Sequence, residues 1–151
     1  MEVRMSLKAW LEDGHLKKAE PTGADVRERF EVAIRDLKDA GIAELSVDTR
    51  FRLAYEAVLA VAQALMLADG FRPASLDNHY YSIESLEQTM GEDRKSLTLL
   101  HAMSKKGSLL PYGQVGAVSP EELATMLREA QRILKLGVAM LTAKHPEYLE
   151  E

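Results

Sequence analysis

The chain has 151 residues, no Cys, and 24 acidic against 19 basic side chains, a formal net charge of -5. That length fits one domain with one sizeable core, and a hydrophobic content of 46% excludes a disordered chain. Absence of Cys excludes a disulfide scaffold, a thiolate metal site and a Cys nucleophile, while the acidic balance disfavours a dedicated duplex nucleic-acid binder and leaves room for a local basic patch.

The first ten residues carry charges throughout, whereas a secretory leader needs an unbroken apolar stretch after a basic start. Ser6 is the expected N-cap of a short helix over residues 6–13, with Gly14 as its stop. Pro21-Thr22-Gly23 breaks the chain. From Ala24 to Ala40 the apolar residues Val26, Phe30, Ala33 and Leu37 fall at i, i+4, i+7 and i+11, one stripe of a helix. Glu31 and Arg35 stand four apart on its wet side and can pair.

Ser46 or Asp48 caps the next helix, which runs to about Asp69 and stops at Gly70. It is apolar nearly all round, so neighbours are expected on several sides. Ala54, Ala57, Ala60, Ala64 and Ala68 recur at spacings of three or four, which lets a helix of this chain or of a second subunit approach closely. Its most apolar run, Leu53 to Ala68, is interrupted by Glu56 and Gln63 and falls short of the roughly 20 residues that span a bilayer. A cytoplasmic protein with one very buried helix and no membrane partner is the expectation.

After the turn Arg72-Pro73-Ala74-Ser75, Asp77 is the expected cap of a helix from about Asn78 to Met90. Leu76, Tyr80, Ile83, Leu86 or Glu87, and Met90 trace its inner face. Asp93 caps a further helix through about Lys105, with Leu97, Leu100 and Met103 inward. Lys105 to Gly113 reads as a loop, because Pro111 cannot sit inside a helix. With Gly116 it spans about a dozen residues, a length that marks a candidate functional loop. Ser119-Pro120-Glu121-Glu122 combines Ser at the N-cap, Pro at N1 and Glu at N3, a capping box opening a helix to about Ala143. Only Val115 to Val118 has any strand character. The expected fold is all-α: one domain over residues 1–151, an up-and-down bundle of four main helices with short additional ones, its core over residues 24–143.

Few chemistries fit these residues. The histidines are His15, His79, His101 and His145, with no pair at the i, i+4 spacing that builds a helical metal site. The inward helix faces carry Leu, Met and Ala, so neither a metal nor a cofactor is expected. No nucleophile elbow, Walker loop or dinucleotide fingerprint is present. Arg94 and His101 are candidates for a cation set beside an imidazole, although separate polar groups on an exposed helix account for them better in sequence. Lys105 and Lys106 suit the end of a helix dipole or contact a phosphate. Arg50 and Arg52 read as a solvated helix start. For His79 and Tyr80-Tyr81 the expectation is packing, with one Tyr in the core and His79 bonded to a nearby backbone group, and substrate contact is the alternative.

The chain resembles the HEPN domain superfamily of small helical bundles. Arg50-Phe51-Arg52-Leu53-Ala54-Tyr55-Glu56-Ala57 through Ala68-Asp69-Gly70-Phe71-Arg72-Pro73 is similar to that family's second helix and following turn. Asp77-Asn78-His79-Tyr80-Tyr81-Ser82-Ile83 looks like its His-containing third-helix start, and the Ser119 capping box looks like the start of its last helix. The family's catalytic motif is an Arg, often followed by Asn, then a His or Tyr. At the corresponding place this chain has Lys105 or Lys106, Gly107 and Tyr112. Lys is a point charge where Arg is a planar fork, and a phenol near pKa 10 is a poor base at neutral pH.

The resemblance therefore implies a non-catalytic HEPN-like binding or assembly module. It would be a homodimer in a toxin–antitoxin-type or nucleotidyltransferase system, with a nucleotidyltransferase partner. A nucleotide or RNA would bind near the 105–113 loop, with His79, Tyr80, Arg94, Lys105, Lys106 and Tyr112 as candidate ligand-binding residues. The first alternative is a metal-independent endoribonuclease whose catalytic candidates are Lys105, Lys106 and Tyr112, aided by His79 or His101. The second is a generic structural or regulatory bundle.

Overall fold

The computed structural model describes residues 7–75, 79–109 and 117–149. The chain folds as an all-α bundle: α1 (Leu7–Glu12), α2 (Gly23–Ala40), α3 (Val47–Ala68), α4 (His79–Met90), α5 (Arg94–Leu109) and α6 (Pro120–Lys144), closed by a 3-10 turn at Pro146–Leu149. α3 is the central helix, packed by α2, α6 and α4, while α5 lies over α3 and α4.

Local chemistry sets most helix starts. Thr22 caps α2 in a capping box with Asp25, Ser46 caps α3, and Ser119 caps α6 in the box with Glu122 that the sequence shows. Asp93 accepts the Ser96 N–H at 2.8 Å at the start of α5. The expected caps Ser6 and Asp77 lie outside the described residues.

The alanines of α3 do bring helices close, and the neighbours belong to this chain. Ala54, Ala57, Ala60, Ala64 and Ala68 are all buried. α3 is long and apolar enough to cross a membrane by length and composition, yet most of that stretch is covered by the other helices. Gly137 lets α6 reach α3: a Cβ there would stand 2.5 Å from Val61 Cγ1. Arg50 ties the start of α3 to the end of α2 by donating from Nε to the Ala40 carbonyl at 2.8 Å. It is therefore an anchor, and not the solvated group the sequence suggested.

Other sequence expectations need correction as well. The described strands are β1 (Leu16–Lys18) and β2 (Phe71–Pro73), an antiparallel pair with Lys17 opposite Arg72. They are too short to read as strands, and a covering layer stabilises them: Trp10, Leu16, Met66, Phe71 and Tyr81 pack as a small second core. Val118, in the weakly β-like segment that the sequence did not read as a strand, is irregular and donates its N–H to Asp48 Oδ1 at 3.3 Å. Arg35 turns to Asp36 at 3.0 Å rather than to Glu31, because Asp36 is buried and needs a partner.

Finally, α5 does not stop at Lys105. It continues through Gly107 to Leu109, so Lys105 and Lys106 are helical. Gly107 acts there by permitting close approach: a Cβ at this position would meet Tyr55 Cδ2 at 3.3 Å. The described part of α5 runs to Leu109. Residues 110–116, including Tyr112, lie outside the described residues.

Candidate functional site

α4 and α5 form a hairpin whose turn is set by Gly91, at φ +74°, and by the Asp93 cap. The turn is pinned to α6: the buried Glu92 carboxylate accepts Arg132 Nη1 at 2.7 Å and Nη2 at 3.1 Å. Glu92 and Glu129 together raise the Arg132 guanidinium above its ordinary value, against the desolvation that opposes them. This bidentate contact fixes how the hairpin presents its outer face.

At the centre of that face is Glu84, whose side chain is 10% exposed. Its carboxylate accepts Arg94 Nη1 at 3.0 and 2.9 Å, lies 2.9 Å from His101 Nε2, and accepts the Tyr80 hydroxyl at 3.4 Å. Burial alone would raise its pKa, but the hydrogen bonds from His101 and Arg94 outweigh burial and hold the carboxyl below its usual range. An ionised carboxylate only accepts, so His101 must carry its proton on Nε2, and Nδ1 is left as an acceptor when the ring is neutral. Arg94 also donates to Glu87 at 3.3 Å.

Tyr80 and His101 stack, with centroids 4.9 Å apart and planes 19° from parallel. Tyr80 is 52% exposed, so the aromatic pair presents a ring to solvent. The phenol is pushed up first by partial desolvation and then by the Glu84 charge. Lys105 is exposed one helical turn beyond His101, on the same side of α5. Arg94, His101 and Lys105 thus share one stripe at i, i+7 and i+11.

The sequence placed Tyr80 inward, and the structure reverses this. Tyr81 packs instead, edge-on to Trp10 at 5.3 Å and stacked on His15 at 4.3 Å. The inner face of α4 is unexpectedly polar: Ser82, Ser85 and Thr89 are buried. Two of these hydroxyls return to the helix's own carbonyls, Ser85 to Ser82 at 2.6 Å and Thr89 to Ser85 at 3.1 Å, which lowers the cost of burying them.

His79 also differs from expectation. Its Nδ1 lies 2.7 Å from the Tyr55 hydroxyl, and that hydroxyl lies 2.7 Å from Ser104 Oγ. The partner is a side chain of α3, not a neighbouring backbone group. This chain joins α3, α4 and α5 beneath the Tyr80 end of the face. Burial pushes the Tyr55 phenol up to about 12, against the Ser104 hydrogen bond and with help from Glu56, so it relays a hydrogen bond as a neutral hydroxyl.

The two lysines separate. Lys105 is exposed on the α4–α5 face, whereas Lys106 forms an ion pair with Glu122 of the α6 capping box. Lys106, with the Ser119 backbone N–H as the next contribution, lowers the Glu122 carboxyl. Of the sequence candidates, the structure brings Tyr80, Arg94 and Lys105 to one face, links His79 to its edge through Tyr55, and turns Lys106 to α6.

The residues sequence reasoning missed are Glu84, as the organiser, and Tyr55. Tyr80 and Glu84 at i, i+4 and Arg94 and His101 at i, i+7 were the available signals. Joining them requires knowing that α4 and α5 pair. Among the described residues no three His, Asp or Glu side chains gather as a metal site. No protein-family model and no curated protein matches this chain.

Proposed function

We propose that this protein is a non-catalytic, HEPN-like binding module that takes single-stranded RNA or a nucleotide on the outer face of α4 and α5. The observation that carries this reading is the Tyr80–His101 stack, with an exposed ring at its top and Lys105 a turn away. A base has a π-face for Tyr80, and a phosphate has a cation in Lys105. Arg94 has a different part. Glu84 and Glu87 hold it, so it orients the platform more than it grips a phosphate. The resemblance to HEPN bundles adds a homodimer and a nucleotidyltransferase partner to the proposal, and a cytoplasmic setting is kept with it.

The test is fluorescence anisotropy with a short labelled oligoribonucleotide. Tyr80→Ala is expected to weaken binding by about tenfold, the scale of one lost base–aromatic stack, with the thermal midpoint unchanged. Equal binding by wild type and Tyr80→Ala would refute the reading.

A second reading, a metal-independent endoribonuclease, is favoured by one specific contact. Glu84 holds His101 Nε2 and leaves Nδ1 facing away as an acceptor, the arrangement a general base needs. Cleavage of RNA in EDTA by the wild type, lost in His101→Ala, would select this reading over pure binding.

A further inference from the structure

We infer that a second ligand site, apart from the α4–α5 face, lies in the groove where β1, β2 and α2 meet, and that it takes a phosphate ester with free hydroxyls, such as a sugar phosphate or a nucleoside monophosphate. The groove holds about 600 Å³, within the range of small-molecule sites. Three cations line it, each from a different element: Lys18 from β1, Arg29 from α2 and Arg72 from β2. None of the three has a hydrogen-bond or ion-pair partner among the described residues. By contrast, Arg27, Arg35, Arg50, Arg94, Arg128 and Arg132 all have one.

An anionic group seated beside the three cations is attracted by all of them, provided it keeps clear of the carboxylates that share the groove. Guanidinium forks match phosphate oxygens, so a phosphate suits Arg29 and Arg72 better than a diffuse negative surface does. The groove is not purely basic. Asp25 lines it while accepting the Thr22 N–H, and Glu20 and Glu28 line it as well. Those carboxylates would repel a bare anion and welcome hydroxyl donors. The preferred ligand therefore brings both charges to their complements: a phosphate for the cations and hydroxyls for the glutamates. Val32 and Leu67 provide an apolar floor for the sugar or base between them. A second concavity of about 240 Å³ shares Arg29 and Val32 and runs on to His79, which extends the groove for a ligand longer than a sugar phosphate.

The test is titration calorimetry at low ionic strength with four probes: AMP, ribose 5-phosphate, inorganic phosphate and adenosine. AMP and ribose 5-phosphate are expected to bind, with inorganic phosphate and adenosine at least about tenfold weaker. The double variant Arg29→Gln/Arg72→Gln is expected to lose about tenfold or more for ribose 5-phosphate, which has no base to stack on Tyr80. Both side chains are exposed, so its thermal midpoint should match the wild type. Tyr80→Ala should leave the affinity for ribose 5-phosphate unchanged, which separates this site from the α4–α5 face. No binding of either ester at millimolar concentration would overturn the inference. So would inorganic phosphate binding as tightly as the esters, or affinity lost in Tyr80→Ala and kept in the arginine variant.

Discussion

His101 Nε2 stands 2.9 Å from Glu84 Oε2, seventeen residues away in sequence, and Arg94 closes on the same carboxylate from the first turn of α5. One nearly buried anion therefore fixes both helices of the hairpin and sets the plane of the ring on which Tyr80 stacks. Removing its charge tests stability and site geometry together.

Glu84→Gln is expected to cost about 1–2 kcal/mol near neutral pH, the scale of charge-assisted hydrogen bonds whose main cation, Arg94, remains solvated. The sign with pH follows from the direction of the shift. The folded carboxyl is held below its ordinary value of 4.5, so its stabilisation is present above that pH and is lost as pH falls through the lower folded value. Urea unfolding of wild type and variant should differ near neutrality and converge in acid. A gap that persists under acidic conditions would show that the charge is not the cause.

Tyr55→Phe removes the hydroxyl that joins His79 to Ser104, and about 1–2 kcal/mol is the expected loss. Here the pH sign is opposite. The folded phenol is raised from 10.0 to about 12, so the unfolded chain ionises first. Stability from this group is complete below pH 10 and drains as pH rises toward 12. The variant should show a shallower alkaline loss than the wild type in thermal melts across that window.

Gly137→Ala should destabilise the bundle by about 1–3 kcal/mol, although alanine is the better helix former by roughly 1 kcal/mol. The new methyl would lie 2.5 Å from Val61 Cγ1 in the fully buried centre of α3. Adding Val61→Ala opens that space, so the double variant should be more stable than the two single losses predict. Chemical denaturation of all four proteins measures the coupling. Additive losses would place the clash elsewhere.

Lys105 and Lys106, adjacent in sequence, should behave differently. Lys105→Ala is expected to weaken oligoribonucleotide binding and to reduce its salt dependence, as loss of one phosphate contact does. Lys106→Ala should leave binding within about twofold, because its ammonium is engaged by Glu122. The anisotropy titrations at two salt concentrations decide the matter, and equal effects of the two substitutions would contradict the separation of these side chains.

Much of this protein is legible from local chemistry. The Val26–Phe30–Ala33 stripe, the all-round apolar α3 and the Ser119–Glu122 capping box each rest on neighbours within a turn or two, and each appears as the residues dictate. The extent of α5 is not legible locally, because Gly107 is a breaker by propensity and a contact residue by position. Only the aromatic ring of Tyr55, 52 positions earlier in the chain, explains it. Strands β1 and β2 are illegible in sequence for the same reason, since three residues carry no periodicity and depend on the Trp10–Met66 cluster beneath them.

Composition and pattern by themselves determined an all-α fold without thiol chemistry, with a buried central helix and a short list of polar residues worth watching. Tertiary structure decided which of those residues meet. It turned Tyr80 outward, gave Glu84 to Arg94 and His101, sent Lys106 to α6, and gathered Lys18, Arg29 and Arg72 around one groove. The physical reason is range. Helix formation and capping are settled over a few residues, whereas a charge or an aromatic ring finds its partner only after burial has brought distant segments together.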